Sequence, residues 1–593
     1  MGVKDNKSEK QADPGGPYAR ESILKDGFDL GQCRAAAEQG DADAQDLMGD
    51  CYQYGWYVRK DYAAAVAWYE KASAQGHAAA QRSLGWCYKN GYGVERSNEK
   101  AAYWYKKGAE GGDVDAQHNL GTCYDYGKGV EEDKNEALKW YRTAAEQGHE
   151  WSQYNLGVFY DRGYAVEQNH EEAVRWYTKS ALQGYSDAQF NLGNCYYKGQ
   201  GILQDYEKAL EWYKKAAAQG SLDAFSQIGV CYEEGTGVGQ DYGAAVDWYR
   251  KAAEGGHSVG QYNLAGCYYY GTGVEQDYKK AFSWFGKAAA QGDAEAQYSL
   301  ACCYKDGEGV GQDYGKAVEW YRKAAEQGDA DAQTDLGWCY EKGMGVKQDI
   351  SLAVEWCRKA AEQGSEQAQY NLGIYYEQGK GVEQDQEQAA GWYEKAAGQG
   401  NVDGQYEMGC RYRDGNGVSQ DYGKSAEWFR KAAEQEDANS QFCLAVRYIK
   451  GEGVKQSDSQ SAKWCRKAAQ QGHMEAQNTL GDFYAHGTGV KQDTAQALGW
   501  YEKAAEQGHM TAQLNAGVCY FMGIGTEQDL ERAAMWFTEA AQQGSAAAQY
   551  NLGLCYGTGR GVALDVEKAA EWFQKAAAQG YQNALVALSK LGC

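Results

Sequence analysis

Apolar and polar positions recur along this chain with a fixed period of 36 residues from Asp41 to Gly580, without insertion or deletion. Positions within each period are numbered here from 1 (Asp41) to 36 (Gly76). In the first period Ala44, Met48, Cys51 and Tyr52 are spaced four, three and one apart, which lays a single apolar stripe on a helix over positions 2–14. Position 9 is always Gly or Ala, which points to a close approach of two helix backbones. Gly55, at position 15 of all fifteen periods, then ends the helix, because glycine takes the left-handed conformation at little cost. A second stripe follows at Ala65, Trp68, Tyr69 and Ala72. It begins after position 21, which is Asp, Ser or Asn in every period, each a side chain whose oxygen caps a helix N-terminus. Gly76 closes this second helix, with Glu436 the one substitute for glycine among the fifteen.

A lone helix pair of this kind cannot bury its apolar face, whereas stacked neighbours can. The pattern therefore predicts an all-α protein, a right-handed α-solenoid superhelix of stacked antiparallel helix pairs. Its organisation reads as a flexible tail over 1–20, a degenerate N-terminal capping helix over 21–40, fifteen tandem repeats over 41–580 and a C-terminal capping helix over 581–593. Trp68 and its fourteen equivalents are expected in the core, each hiding roughly 150–250 Å².

The recurring motifs A-Q-x-x-L-G-x-C-Y, G-x-G-V-x-Q-D and A-x-x-W-Y-x-K-A-A-x-Q-G resemble those of the Sel1-like repeat family, a relative of the tetratricopeptide repeat. The resemblance covers 41–580. It implies a helical-repeat adaptor that assembles protein complexes, and it names no partner. A cysteine-rich secreted branch of that family carries two cysteines per unit, whereas most units here carry one.

Composition narrows the function further. Lys and Arg number 59 against 83 Asp and Glu, a net charge of −24. That field opposes phosphate backbones and anionic membrane surfaces and favours partners with basic segments. No apolar run is long enough to span a membrane. Ten of the 17 cysteines share position 11, from Cys51 to Cys555, where Phe159 and Phe483 stand in two other units. An apolar slot filled by reduced, buried thiols fits this better than a disulfide or metal ladder. Cys33 and Cys593 lie near the ends. The first sixteen residues lack the apolar segment of a secretory signal. With the free thiols, this gives a cytoplasmic expectation. Five of the eight histidines fall at position 1 and read as exposed helix-start residues. No arrangement for a metal, a cofactor or a catalytic nucleophile stands out, so the chain reads as a non-enzyme.

Binding is expected on the first helices, which in stacked pairs line the concave face. Positions 3, 7, 10 and 14 form a stripe there, beside the buried set. Position 7 is often asparagine (Asn119, Asn155, Asn191, Asn263, Asn371, Asn515 and Asn551), whose amide can either meet an extended peptide backbone or bond to a neighbouring helix and fix the repeat spacing. Position 10 varies, and its Trp86 and Trp338 are the candidate anchors for a partner. The function expected is a protein–protein interaction scaffold that holds partner proteins or extended peptides, with no nucleic acid involved. The alternative is a regulator of an enzyme or signalling complex, or a secreted host-interaction factor, on the same architecture.

Overall fold

The computed structural model describes residues 28–591. The tail over 1–20, residues 21–27 of the N-terminal segment and Cys593 lie outside the described residues. Among the described residues the chain is entirely helical, from Leu30–Glu38 to Gln582–Leu591, with no strand and no helix long and apolar enough to cross a membrane. The all-α class of stacked helix pairs read from the period is the observed one.

Two compact units divide the chain. One holds the residues up to Ala296 with the short segment Glu308–Val310, and the other holds Gln297–Gly307 and everything from Gly311 onward. Within each, first and second helices of thirteen residues, or fourteen in Gln386–Gln399, alternate through the repeats, as in Ser186–Lys198 and Tyr206–Ala218 of the first unit and Ala330–Lys342 and Ile350–Glu362 of the second.

The helix ends follow from the residues that hold them. Asp205 accepts from Lys208 N at 3.0 Å and so satisfies an otherwise unpaired amide of the first turn. Position 1 does the same for the first helix, apart from Tyr185, and here the histidines are half-buried caps rather than exposed residues. His77, His149, His257, His473 and His509 each accept from a backbone amide three residues on. Glu436 occupies the left-handed conformation, at φ 72°, that glycine takes at this position in the other repeats.

Two glutamines tie the layers together. Gln189 Nε2 donates to Ala181 O of the preceding second helix at 3.2 Å, while Gln219 Nε2 donates to Gln189 Oε1 at 2.9 Å. The pair between positions 5 and 35 recurs in every repeat except those beginning at 77 and 221, where position 35 is Gly111 or Gly255. Each buried glutamine is thereby donor and acceptor at once, which explains its place at a seam that otherwise buries alanine.

The core aromatic is not the tryptophan. Tyr69, Tyr141, Tyr213, Tyr249, Tyr321 and Tyr393, at position 29, are completely buried. Their indole neighbours at position 28 are half-buried, apart from Trp464, which is buried. These rings lie at the margin of the apolar stripe, and in twelve of the fifteen repeats a lysine three residues on covers the outer face. Lys215 Nζ stands 3.7 Å from the Trp212 ring centre, and Lys323 Nζ 3.6 Å from that of Trp320. The tyrosine goes deeper because position 9 makes room for it. A Cβ on Gly193 would come within 2.6 Å of the Tyr213 ring.

Candidate functional site

The position-11 cysteines are buried thiols, and all sixteen described cysteines are free. Burial pushes Cys195 and Cys339 up to about 12, so they remain protonated packing groups.

The asparagines of position 7 are all half-buried on the first helices. Asn119, Asn155, Asn191 and Asn263 belong to the first unit, and Asn371, Asn515 and Asn551 to the second. Asn191 faces the phenol of Tyr177 in the preceding repeat, a placement that suits the spacing role. Asn371 Oδ1 accepts from Gln367 Nε2, one turn earlier on its own helix, at 3.1 Å.

The two tryptophan candidates differ. Trp86, in the first unit, is half-buried against Tyr92 at a ring separation of 4.9 Å, and Tyr92 in turn stacks on Tyr62. Trp338, in the second unit, is 38% exposed. Trp338 and Asn371 line one cavity of about 420 Å³ between the first helices Ala330–Lys342 and Glu366–Gln378. Ile374 is on the same wall, and the floor is Gly337 and Cys357.

Glu341 closes one side of the cavity, and nothing in the stripe arithmetic singled it out. Its carboxylate accepts from Lys380 Nζ at 2.7 Å, from Tyr375 OH at 2.9 Å and from Lys342 Nζ at 3.0 Å. Partial burial works to raise its pKa, but these hydrogen bonds outweigh that and hold it at about 2. The nearby Cys357 thiol is pushed up to about 12, first by burial and then by the Glu341 charge. Chemically the site is a recess with an indole rim, an ionised acceptor, two ammonium groups and an unreactive thiol. Such a set suits binding.

Position 10 has a second task that its variability concealed. In several repeats it receives the hydrogen bond of the buried tyrosine. Tyr69 donates to Asp50 at 2.8 Å, Tyr213 to Asn194 at 2.8 Å and Tyr501 to Asp482 at 2.7 Å. In two repeats whose position 10 is valine or isoleucine, position 13 takes over, as Glu233 does for Tyr249 and Glu377 for Tyr393. Position 10 is therefore open for recognition where it is not that acceptor, as at Trp338, whose position 29 carries no phenol, and at Ile374.

The Sel1 repeat model matches fifteen consecutive stretches, from 42–77 to 546–581. The chain belongs to the Sel1 repeat family. This Sel1 repeat protein is similar to a protective antigen, c5321, present in uropathogenic Escherichia coli strains and displaying an SLR fold. The two are 34% identical, the match covers 81% of this chain and 96% of that one, and the TM-score is 0.54. A Sel1 repeat protein from Oxalobacter formigenes is 36% identical over 52% of this chain and 89% of its own, with a TM-score of 0.42. No curated protein matches the chain.

Proposed function

We propose that this protein is a non-catalytic scaffold that holds partner proteins or extended peptides along the concave, first-helix face of its repeats. The observation that carries the reading is Trp338, an exposed indole beside Asn371 and Ile374 at the mouth of a recess between two first helices. A large, rigid aromatic at the edge of a preformed recess is the usual anchor of a protein interface. Family membership supports the same role, since Sel1 repeat proteins bind protein partners. The charge of −24 favours partners with basic segments. Free cysteines suit a reducing cytoplasm.

Crosslinking and mass spectrometry on complexes captured from native lysate test the scaffold. Crosslinks should fall on the first helices of the second unit and be lost in Trp338→Ala. Crosslinks confined to the second-helix face would overturn the reading, as would an enzymatic activity abolished by one point change. Likeness to the Escherichia coli antigen favours a second reading, a factor that meets a host outside the cell. A thiol count on the natively expressed protein separates the two, because a cytoplasmic chain keeps its thiols free.

A further inference from the structure

Position 29 is Tyr or Phe in every repeat except two, where Cys357 and Cys465 stand. In both cases the first helix of the next repeat supplies an aromatic ring at position 11, Tyr375 or Phe483, in place of the usual cysteine. Each ring packs into the same buried cluster as the cysteine it faces. The aromatic has crossed the seam from one repeat to the next. The two exchanges leave different surroundings. Beside Cys465, position 9 is Ala445, position 10 is Val446 and Trp464 is drawn in until it is buried. Beside Cys357, position 9 is Gly337, position 10 is the outward Trp338 and Trp356 stays half-buried.

The floor of the 420 Å³ cavity is thus the face against which other repeats seat their own phenol. A Cβ on Gly193, Gly373 or Gly481 would strike a tyrosine ring within 2.7 Å, whereas on Gly337 the nearest side-chain atom is Trp356 Cβ at 3.8 Å. The acceptor is in place as well, a carboxylate that already receives Tyr375, Lys380 and Lys342 and keeps a lone pair for one more donor. Glu341 occupies position 13, where Glu233 and Glu377 accept the phenols of Tyr249 and Tyr393. A cavity of a few hundred Å³ has room for a six-membered ring, and an aromatic edge meets an indole favourably.

We propose that this cavity takes the phenol side chain of a tyrosine presented by a partner polypeptide. The ring would lie over Gly337 with its edge against Trp338, and its hydroxyl would donate to Glu341. The proposal rests on the scaffold reading and names the side chain that the scaffold would grip.

The probe is p-cresol, the side-chain analogue of tyrosine, titrated into the full-length protein while the methyl resonance of Ile374 is followed by NMR. A saturable shift is expected, with toluene binding about tenfold more weakly because it has no hydroxyl to donate to the Glu341 carboxylate. Cys357→Tyr with Tyr375→Cys restores the pairing found at Tyr213 and Cys231. That double variant should fill the recess from within and lose the saturable shift while keeping its melting temperature. Trp338→Ala, at an exposed position, provides a second variant that folds whether or not the double change does, and it should weaken binding several-fold. Unsaturable shifts in the native chain would overturn the inference, and so would native affinity in Trp338→Ala or in a folded double variant. Partner crosslinks that persist on the first helices while p-cresol fails to bind would remove the tyrosine site and leave the scaffold standing. Saturable p-cresol binding with no partner on that face would do the reverse.

Discussion

Tyr213 donates its phenol hydroxyl to Asn194 Oδ1 at 2.8 Å, from the second helix of a repeat to the first. The same two positions change together elsewhere. Where position 29 is Phe285, Phe429, Phe537 or Phe573, position 10 is Gly266, Cys410, Val518 or Leu554. A buried phenol needs an acceptor, and an acceptor turned inward needs a donor, so a phenylalanine is met by a position 10 without one, while a tyrosine beside an apolar position 10 can use position 13 instead, as Tyr393 uses Glu377.

Tyr213→Phe should therefore cost about 1 kcal/mol, since it leaves the Asn194 carbonyl without its donor. Combining it with Asn194→Val, the pairing found at Phe537 and Val518, should recover most of that loss. Urea denaturation of the four chains of the cycle gives the coupling, expected at about 1 kcal/mol. Strictly additive losses would mean that the hydrogen bond contributes nothing.

The depth difference between adjacent aromatics can be read in the same way. Tyr213 is fully buried and Trp212 is only half-buried under Lys215. Tyr213→Ala should cost about 3–5 kcal/mol, in the range of large core truncations. Trp212→Ala should cost about half as much, although tryptophan is the larger side chain. Equal losses in thermal or urea unfolding would return the indole to the core.

Glu436 holds a left-handed backbone conformation at φ 72°, where its equivalents are glycine. A residue with a Cβ is strained there by about 1–2 kcal/mol, and glycine recovers this less its own greater loss of chain entropy. Glu436→Gly should raise stability by about 0.5–1 kcal/mol. A lower melting temperature in that variant would show that the Glu436 side chain contributes more than its backbone costs.

Much of this architecture was legible in the sequence because it is periodic. Helix boundaries follow from the capping residues and from Gly55, and the thiol slot follows from the interchange of cysteine with phenylalanine at position 11. The relative depth of Trp68 and Tyr69 was not legible, because both fall on the same stripe and only the space at Gly49 selects between them. The cavity was hidden for another reason. Tyr375 is visible as a departure at position 11 and Cys357 as a departure at position 29, but the period does not say that these positions meet across a seam. Comparing departures between successive repeats, rather than tallying each position alone, is the signal that reaches Glu341 and Cys357.

The first unit contains an acid-sensitive contact at position 6, where His118 stands in place of the Tyr154, Phe190 or Tyr262 of other repeats. Its ring is buried, its Nδ1 lies 3.0 Å from Ser152 Oγ and its centre lies 4.6 Å from that of His149. His149 Nε2 faces Asp115 at 3.4 Å, and Arg82 stands 3.8 Å from the same carboxylate. Burial, and then the His149 charge, push His118 well below the ordinary histidine range, against a smaller opposing pull from Asp115. The unfolded imidazole takes its proton near pH 6.5, while the native ring stays neutral. As pH falls below about 6.5 the unfolded state binds a proton that the native state does not, and stability drops by up to about 1.4 kcal/mol per pH unit. Asp115, whose pKa is lowered, begins to lose its own contribution only as pH drops below its ordinary value of 3.8, so the two effects occupy separate windows. His118→Phe places at this site the residue that Phe190 provides in another repeat. Urea unfolding between about pH 7 and pH 5 should show the native chain losing stability more steeply than the variant, by roughly one proton's worth of slope. Parallel pH profiles for the two chains would mean that the imidazole accepts its proton without leaving the fold.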